Sequence, residues 1–150
     1  MFPASFAKLG LTVAIAASAA LVQPAKAQDL KIGLASEPSA MDPHFHNLTP
    51  NSSLLSHVFE RLIETAPDNK LVPGLAESWK AVNDKTWELK LRSNVKWHDG
   101  SPFTADDVIF TFERAPNVPN SPSSFASAVK GKTVKKIDDM TVQIETAAPA

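Results

Sequence analysis

The sequence predicts a mixed α/β (α+β) fold, and two patterns support that prediction. Trp87, Leu89 and Leu91 alternate with charged residues, which is the period-two pattern of a strand with one buried face. In other segments, apolar residues recur at three- and four-residue spacing, which is typical of amphipathic helices. Because the predicted strands are close in sequence, we expect them to pair antiparallel.

A strand and a long helix are the first predicted elements. Residues 30–34 (LKIGL) form a short apolar run that we expect to be a strand. A helix should begin at Asn51 or Ser52, either of which can cap it. Its predicted core face consists of Leu54, Leu55, Val58, Phe59, Leu62 and Ile63.

Turn signals lie on both sides of the strand that contains Trp87. Pro73-Gly74 marks a turn before residues 75–79, a short amphipathic segment, and residues 83–85 (NDK) form the turn that precedes the strand. A second short run, residues 95–98, ends at Asp99-Gly100. That pair favours positive backbone dihedral angles and so reverses the chain.

A second helix is predicted after Thr104, which can cap it. Asp107 lies three residues later and completes a capping box. Its apolar face consists of Val108, Ile109 and Phe112. Pro116 should end this helix, because proline cannot continue the hydrogen-bond ladder.

The last predicted elements are a loop, a short helix and a hairpin. Three prolines among Asn and Ser residues predict a loop over residues 115–124. Residues 125–129 are predicted to form a short helix. Residues 133–137 and 141–146 predict a hairpin that turns at Asp138-Asp139.

The order of the signals over residues 71–114 resembles the signature region of the bacterial extracellular solute-binding proteins of family 5. These are the periplasmic components of peptide and nickel ABC importers. The segment is LVPGLAESWKAVNDKTWELKLRSNVKWHDGSPFTADDVIFTFER, and the resemblance runs from about residue 30 to the last residue. The family usually has glycine where this chain has Asn94. Asparagine tolerates the left-handed backbone region better than other non-glycine residues do.

The resemblance implies the N-terminal part of a two-lobed periplasmic binding protein fold, of the class II type with an extra domain. Residues 28–50 would supply the first strand and a loop of lobe I. Residues 51–150 would form an extra α+β domain that is truncated at its C-terminal end. Because members of the family are several times longer, we expect the chain to be an N-terminal piece of a longer protein.

Residues 1–27 have the pattern of a cleavable secretory signal peptide. Lys8 supplies the positive charge, residues 9–22 form an apolar run too short to span a bilayer, and Ala25-Lys26-Ala27 fits the cleavage rule. The sequence contains no cysteine, which excludes disulfides and a lipid-modified cysteine. We therefore expect export to the periplasm, with neither a lipid anchor nor a membrane-spanning segment.

The charge of the chain argues against nucleic acid as a partner. The net charge is -1 at pH 7, and no basic patch stands out. The one cationic cluster, KGKTVKK at residues 130–136, is more simply explained as a solvated strand edge.

The histidines suggest a metal site but do not complete one. His44 and His46 lie on the same side of an extended segment, and His57 and His98 are available elsewhere. Two histidines at this spacing do not fill a coordination sphere, so we expect loop or ligand-wall histidines and no metal cofactor.

Four polar residues could together form a general acid–base group. They are His98, Asp99, Asp106 and Asp107. Asp99 also fits a turn with Gly100, and carboxylates in the first turn of a helix are favoured by its dipole. We therefore expect no catalytic residue.

The three tryptophans could offer a stacking surface to a ligand. Trp79 ends an apolar segment, while Trp87 and Trp97 lie on the apolar sides of predicted strands. Those positions favour a place in the core.

The candidate ligand-binding site is the loop over residues 45–49. Its members are Phe45, His46, Asn47, Leu48 and Thr49. The loop joins a predicted strand to a predicted core helix, where polar groups are more often functional than structural. In the family, the matching segment borders the ligand cavity.

The resemblance implies the periplasmic substrate-binding component of an ABC importer. Such a protein captures peptides or peptide-like solutes by closing two lobes around them and delivers them to the membrane permease subunits. Two alternatives remain open: a secreted hydrolase in which His98 and Asp99 act on substrate, and an importer component that carries nickel or a metal chelate. A purely structural exported domain is a third possibility.

Export predicts a processed N-terminus. Mass spectrometry of the protein recovered from a periplasmic extract should find Gln28 as the first residue. An intact Met1 on a membrane-embedded form would contradict the prediction.

Overall fold

The computed structural model describes residues 29–149, so the predicted signal peptide lies outside the described residues. The chain divides into two units between Gly33 and Leu34. In the first unit, residues 29–33 are exposed and form no regular element. The strand predicted over residues 30–34 is therefore wrong. Leu30 is 83% exposed, and without a neighbouring strand an extended apolar run gains neither hydrogen bonds nor burial.

All the helices and strands described here lie in the second unit. In chain order they are α1 (Thr49–Leu55), β1 (Ile63–Thr65), β2 (Leu71–Pro73), β3 (Ala76–Asn83), β4 (Thr86–Leu91), α2 (Ala105–Arg114), α3 (Ala126–Val129), β5 (Lys132–Asp138) and β6 (Thr141–Thr146). A short 3-10 turn, Ala115–Asn117, follows α2. Strands β1 and β2 form an antiparallel ribbon, and the other four form an antiparallel sheet in the order β3-β4-β6-β5. The predicted mixed α/β class and antiparallel pairing are confirmed.

The core lies between α2 and one face of the four-stranded sheet. Leu89 on β4 is paired with Val142 on β6, so both side chains point to the same face, and Leu91 follows two residues along. All three are buried against Val108 of α2, whereas Lys90 is exposed. The alternation predicted for β4 is confirmed, and it determines which face of the sheet receives the helix.

The local signals around α2 are also confirmed. The Asp107 carboxylate accepts the backbone N–H of Thr104 at 2.8 Å in a capping box, and α2 ends at Arg114, before Pro116. Asn94 has a φ of 61°, in the left-handed region that glycine would otherwise occupy. The predicted 95–98 run forms only an isolated bridge across the turn that follows it.

The C-terminal hairpin and its exposed edge strand were also predicted correctly from the sequence. Strands β5 and β6 pair antiparallel, and Val142 and Ile144 face inwards. β5 is an outer strand whose lysines are exposed, as a solvated edge requires. Lys136 additionally bridges Asp106 and Asp139, at 2.7 Å each.

The helix predicted from residue 51 to Ile63 is wrong in extent. α1 begins at Thr49, with Pro50 in its first turn, and ends at Leu55. Farther along, the chain must extend, because the carbonyl oxygens of Arg61 and Leu62 accept hydrogen bonds from the N–H groups of residues 75 and 76, and Ile63 enters β1. The hydrogen bonds to distant residues thus override the helical spacing of the apolar residues.

Two of the three tryptophans contribute to the core as predicted. Trp79 and Trp87 are half-buried and pack against the core. The expectation for Trp97 is wrong, because it is 43% exposed and meets Phe103 edge-on, with ring centroids 6.1 Å apart.

A glycine and an arginine connect the β1–β2 ribbon to the sheet. A Cβ on Gly74 would lie 2.3 Å from the carbonyl oxygen of Arg61, so only glycine allows this close approach of two backbones. Arg92, just after β4, donates to the Gly74 carbonyl at 3.0 Å and to both carboxylate oxygens of Glu60 at 2.7 Å. The bidentate contact with Arg92 lowers the pKa of Glu60.

The helix–sheet core predicts unequal effects of neighbouring substitutions in β4. Leu91→Ala removes a side chain that is 1% exposed and should reduce the free energy of unfolding by about 2 to 5 kcal/mol. Lys90→Ala, on the solvent face, should change it by no more than about 0.5 kcal/mol. Denaturant melts of the two variants test this, and equal effects would contradict the observed packing.

Candidate functional site

The backbone before the 45–49 loop is held by an ion pair that spans much of the chain. Arg114, the last residue of α2, donates from Nη2 to Asp42 Oδ2 at 2.5 Å and from Nη1 to Asp42 Oδ1 at 3.0 Å. Both side chains are about one-third exposed, at 32% for Asp42 and 36% for Arg114. The Arg114 contact lowers the pKa of Asp42 to about 2.

His44 completes this group through a contact that fixes its protonation state. Arg114 Nη1 donates to His44 Nδ1 at 2.9 Å, and the backbone N–H of His44 donates to Asp42 Oδ1 at 2.9 Å. A guanidinium has no acceptor, so Nδ1 must be unprotonated and neutral His44 carries its proton on Nε2. Burial and the Arg114 charge lower the pKa of His44, which favours that neutral form.

The 45–49 loop itself is anchored to the proline-containing loop that follows α2. The Ser121 hydroxyl donates to the Phe45 carbonyl oxygen at 2.6 Å, and the Asn47 N–H donates to the Ser123 carbonyl oxygen at 3.0 Å. His46 and Ser123 also form a parallel β-bridge. The loop therefore has a fixed backbone, although it belongs to no sheet.

A third anchor comes from α1 and the segment before the loop. Asn51 is fully buried, accepts the Ser39 N–H at 3.1 Å and donates to the Ala40 carbonyl oxygen at 3.4 Å. The Ser39 hydroxyl lies 2.7 Å from His46 Nδ1. Asn51 is thus a buried cross-link rather than the predicted helix cap, a role that belongs to Leu48.

Two cavities adjoin the loop, one apolar and one polar. The first has a volume of about 580 Å³ and lies between α1, its following turn and α2. Its walls include His46 together with Leu55, Phe59, Trp97, Phe110 and Phe125. The second has a volume of about 440 Å³ and is lined by Asn47, Thr49, Ser52, Ser53, Ser56, Arg61 and Glu64.

Three of the five predicted site residues line these cavities, and the other two do not. His46 lines the apolar cavity, while Asn47 and Thr49 line the polar one. Phe45 and Leu48 line neither, and Phe45 contributes its carbonyl oxygen to the Ser121 contact.

The sequence analysis selected the 45–49 loop as a candidate site but did not predict which residues hold it. In the sequence, Arg114 is only the last residue of the segment that resembles the family signature, while Ser121 and Ser123 are members of a proline-rich loop. An arginine in the last turn of a helix is usually explained by the helix dipole, so nothing local indicated a carboxylate partner more than 70 residues away.

Asp99, one of the residues considered for catalysis, makes contacts that hold a turn. Asp99 accepts the backbone N–H of Ser101 at 2.9 Å and its hydroxyl at 2.6 Å, which lowers the pKa of Asp99 and closes the predicted turn. Within residues 29–149, no three His, Asp or Glu side chains are grouped closely enough to hold a metal ion.

Comparison with known proteins identifies the class. Residues 70–150 match the bacterial extracellular solute-binding proteins, family 5 Middle, and the chain belongs to this family. None of the helices in the described part has the length and apolar character needed to cross a bilayer.

Individual relatives bind peptides, according to their names. The chain is 36% identical to the periplasmic oligopeptide-binding protein OppA of Salmonella typhimurium over 137 residues, which cover 87% of this chain and 25% of OppA. The structure of the Escherichia coli murein tripeptide binding protein MppA matches with a TM-score of 0.70 and 28% identity, covering 78% of this chain and 26% of MppA. Haemophilus influenzae OppA in complex with RPPGFSPFR matches with a TM-score of 0.69 and 28% identity, covering 77% of this chain and 26% of that one. The chain therefore spans about a quarter of the length of these relatives.

The Asp42–Arg114 pair predicts a specific pH dependence of stability. Asp42 has a folded-state pKa of about 2, below its ordinary value of 3.8, so its stabilisation is present above about pH 4 and is lost as the pH falls towards 2. At pH 7, Asp42→Asn should cost about 1 to 2 kcal/mol, after allowance for solvent screening of a partly exposed pair.

The measurement is the free energy of unfolding between pH 7 and pH 2. Asp84→Asn, which removes an exposed carboxylate in the β3–β4 turn, is the matched control and should cost less than about 0.5 kcal/mol. A deficit for Asp42→Asn that persists unchanged at pH 2 would contradict the role of the ion pair.

Proposed function

We propose that the chain is part of the periplasmic substrate-binding component of an ABC importer, and that its cargo is a peptide or a peptide-like solute. The observation that carries the proposal is the anchored 45–49 loop, which presents Asn47 and Thr49 to a polar cavity and His46 to an apolar one. Family membership and the peptide-binding names of the relatives support it.

The chemistry of the two cavities suits a peptide. A peptide offers backbone donors and acceptors at regular spacing and side chains of varied polarity. Asn47 can donate and accept, the Thr49 hydroxyl can do both, and both residues are exposed. Main-chain hydrogen bonds to such groups give affinity that does not depend on the peptide's side chains, and nearby pockets accept those side chains.

Binding would proceed by closure of two lobes around the cargo. The described residues form one wall, and a small ligand in a closed site is usually buried on most of its surface. Cargo that bridges both lobes selects the closed state, which then docks on the permease subunits in the membrane. In this proposal the protein acts in the periplasm and carries out no chemical step.

The two alternatives have less support from the described residues. The hydrolase requires a free acid–base group, but the Asp99 carboxylate is occupied by Ser101. Nickel binding would need several ligands, and His44 already accepts from Arg114 through Nδ1. Nickel as cargo is therefore an outcome of the binding experiment below.

Peptide binding predicts a loss of affinity on truncation of the loop's polar side chains. Asn47→Ala and Thr49→Ala, made in the intact protein, should each weaken peptide binding by about 0.5 to 1.5 kcal/mol, since each removes one neutral hydrogen-bonding group. Isothermal titration with Ala-Ala, Ala-Ala-Ala and RPPGFSPFR provides the measurement.

The control and the competing cargo are measured in the same way. Glu77→Ala changes an exposed residue on β3, away from both cavities, and should leave affinity unchanged. If the unsubstituted protein binds none of the three peptides but binds nickel chloride in the presence of free histidine, the metal-chelate alternative replaces the peptide proposal.

A further inference from the structure

Two of the three sets of contacts that hold the 45–49 loop come from one distant segment of the chain. Arg114 ends α2, and the serines that contact the loop follow within nine residues, at 121 and 123. These residues touch backbone atoms of the loop or the side chains just before it. They line neither the polar cavity nor the apolar one.

From this arrangement we infer that Arg114 and Ser121 are positioning residues for ligand binding, which hold the 45–49 loop in the conformation that receives cargo. The inference rests on the proposed function. It assigns a role in ligand binding to residues that lie outside both cavities. Neither residue would contact the ligand. Each would act through the backbone that carries Asn47 and Thr49.

The contact made by Ser121 is well suited to hold a backbone. Its hydroxyl is half-buried and donates to the Phe45 carbonyl oxygen at 2.6 Å, within the usual range for an O–H donor. Two residues later along each segment, the Asn47 N–H donates to the Ser123 carbonyl oxygen at 3.0 Å. Together the two bonds fix both ends of the stretch from Phe45 to Asn47. They thereby fix the direction in which the Asn47 side chain projects from the loop.

Arg114 fixes the residues immediately before that stretch. Its guanidinium reaches both carboxylate oxygens of Asp42 and, from the same Nη1, the imidazole of His44. Lysine carries the same charge but lacks the planar fork, so it cannot reproduce this set of contacts. Arg114→Lys therefore separates the geometry of the contact from its charge.

The anchors act on the same equilibrium between an ordered and a disordered loop, and this predicts how their losses combine. Because the remaining anchors still order part of the population, loss of one lowers the binding-competent fraction only about twofold to tenfold. Loss of two lowers it much more. The double substitution should therefore weaken binding by more than the product of the two single effects.

The matched control is another serine of the same loop. Ser124 donates from its hydroxyl to the Pro116 carbonyl oxygen at 3.3 Å and accepts the Ala126 N–H at 3.0 Å. It resembles Ser121 in chemistry and location, but its two bonds stay within its own segment. Ser124→Ala should leave the affinity for peptide and the order of the 45–49 loop unchanged.

The experiment uses the intact protein with Ser121→Ala, Arg114→Lys, the double variant and Ser124→Ala. Titration with Ala-Ala-Ala and RPPGFSPFR should show each single variant about twofold to tenfold weaker, the double variant weaker than their product, and Ser124→Ala unchanged. Hydrogen exchange read by mass spectrometry should show faster exchange over residues 45–49 in the first three variants, with exchange in β4 and β6 unaltered.

Each outcome decides a separate point. If the parent binds peptide and Ser121→Ala and Arg114→Lys bind it equally well, the positioning role is refuted, and faster exchange in β4 and β6 would refute it in favour of a general loss of stability. A parent that binds neither of these peptides nor Ala-Ala refutes the proposed function and, with it, the positioning role for peptide. Unchanged exchange over residues 45–49 in the double variant would overturn the inference whatever the cargo.

Discussion

The packing of α2 on the inner face of the four-stranded sheet is the constraint on which the rest of the structure depends. Leu89, Leu91 and Val142 form one apolar face, and Val108 of the helix covers it. Burial of these side chains fixes the axis and rotation of α2, because apolar residues occupy only one stripe of the helix. The position of the last helical residue, Arg114, follows from that rotation.

Two of the anchors of the candidate site come from this helix and the loop that follows it. Its C-terminal end supplies the guanidinium that holds Asp42 and His44, and the loop that follows supplies Ser121 and Ser123. Residues 45–48 of the candidate ligand loop thus belong to no helix or strand but are attached to the end of the helix that packs on the sheet. Binding residues on loops positioned by a rigid scaffold are a common arrangement, and here the attachment can be traced bond by bond.

Local signals in the sequence were sufficient wherever neighbouring residues determine the structure. The alternation in β4, the capping box of α2, the β5–β6 hairpin and the left-handed Asn94 all depend on residues close in sequence, and all were predicted correctly. The predictions failed where distant pairing decides. Residues 56–63 carry a helical pattern, but residues 56–58 form a turn, and the backbone hydrogen bonds to residues 75 and 76 and the pairing of β1 with β2 require an extended chain from residue 61.

The candidate site shows the same division. The position of the 45–49 loop between two predicted elements was enough to select it, although the strand before it did not form. Its division between an apolar and a polar cavity was not predictable, since it depends on the turn after α1. Arg114 and the serines could not be found because their partners lie more than 70 residues away in sequence. Which residues belong to each lobe, with the proposed division at residue 50, stays a prediction.

The long sequence separation of those contacts has a consequence for how the domain folds. The Asp42 and Phe45 contacts span about 70 residues and require the end of α2 to be in place, and α2 is placed by its packing on the sheet, so these contacts should form after the helix and the sheet. Interactions that form last also stabilise the native state mainly by slowing its unfolding. The segment proposed to receive cargo is therefore expected to be among the last parts to become ordered after synthesis.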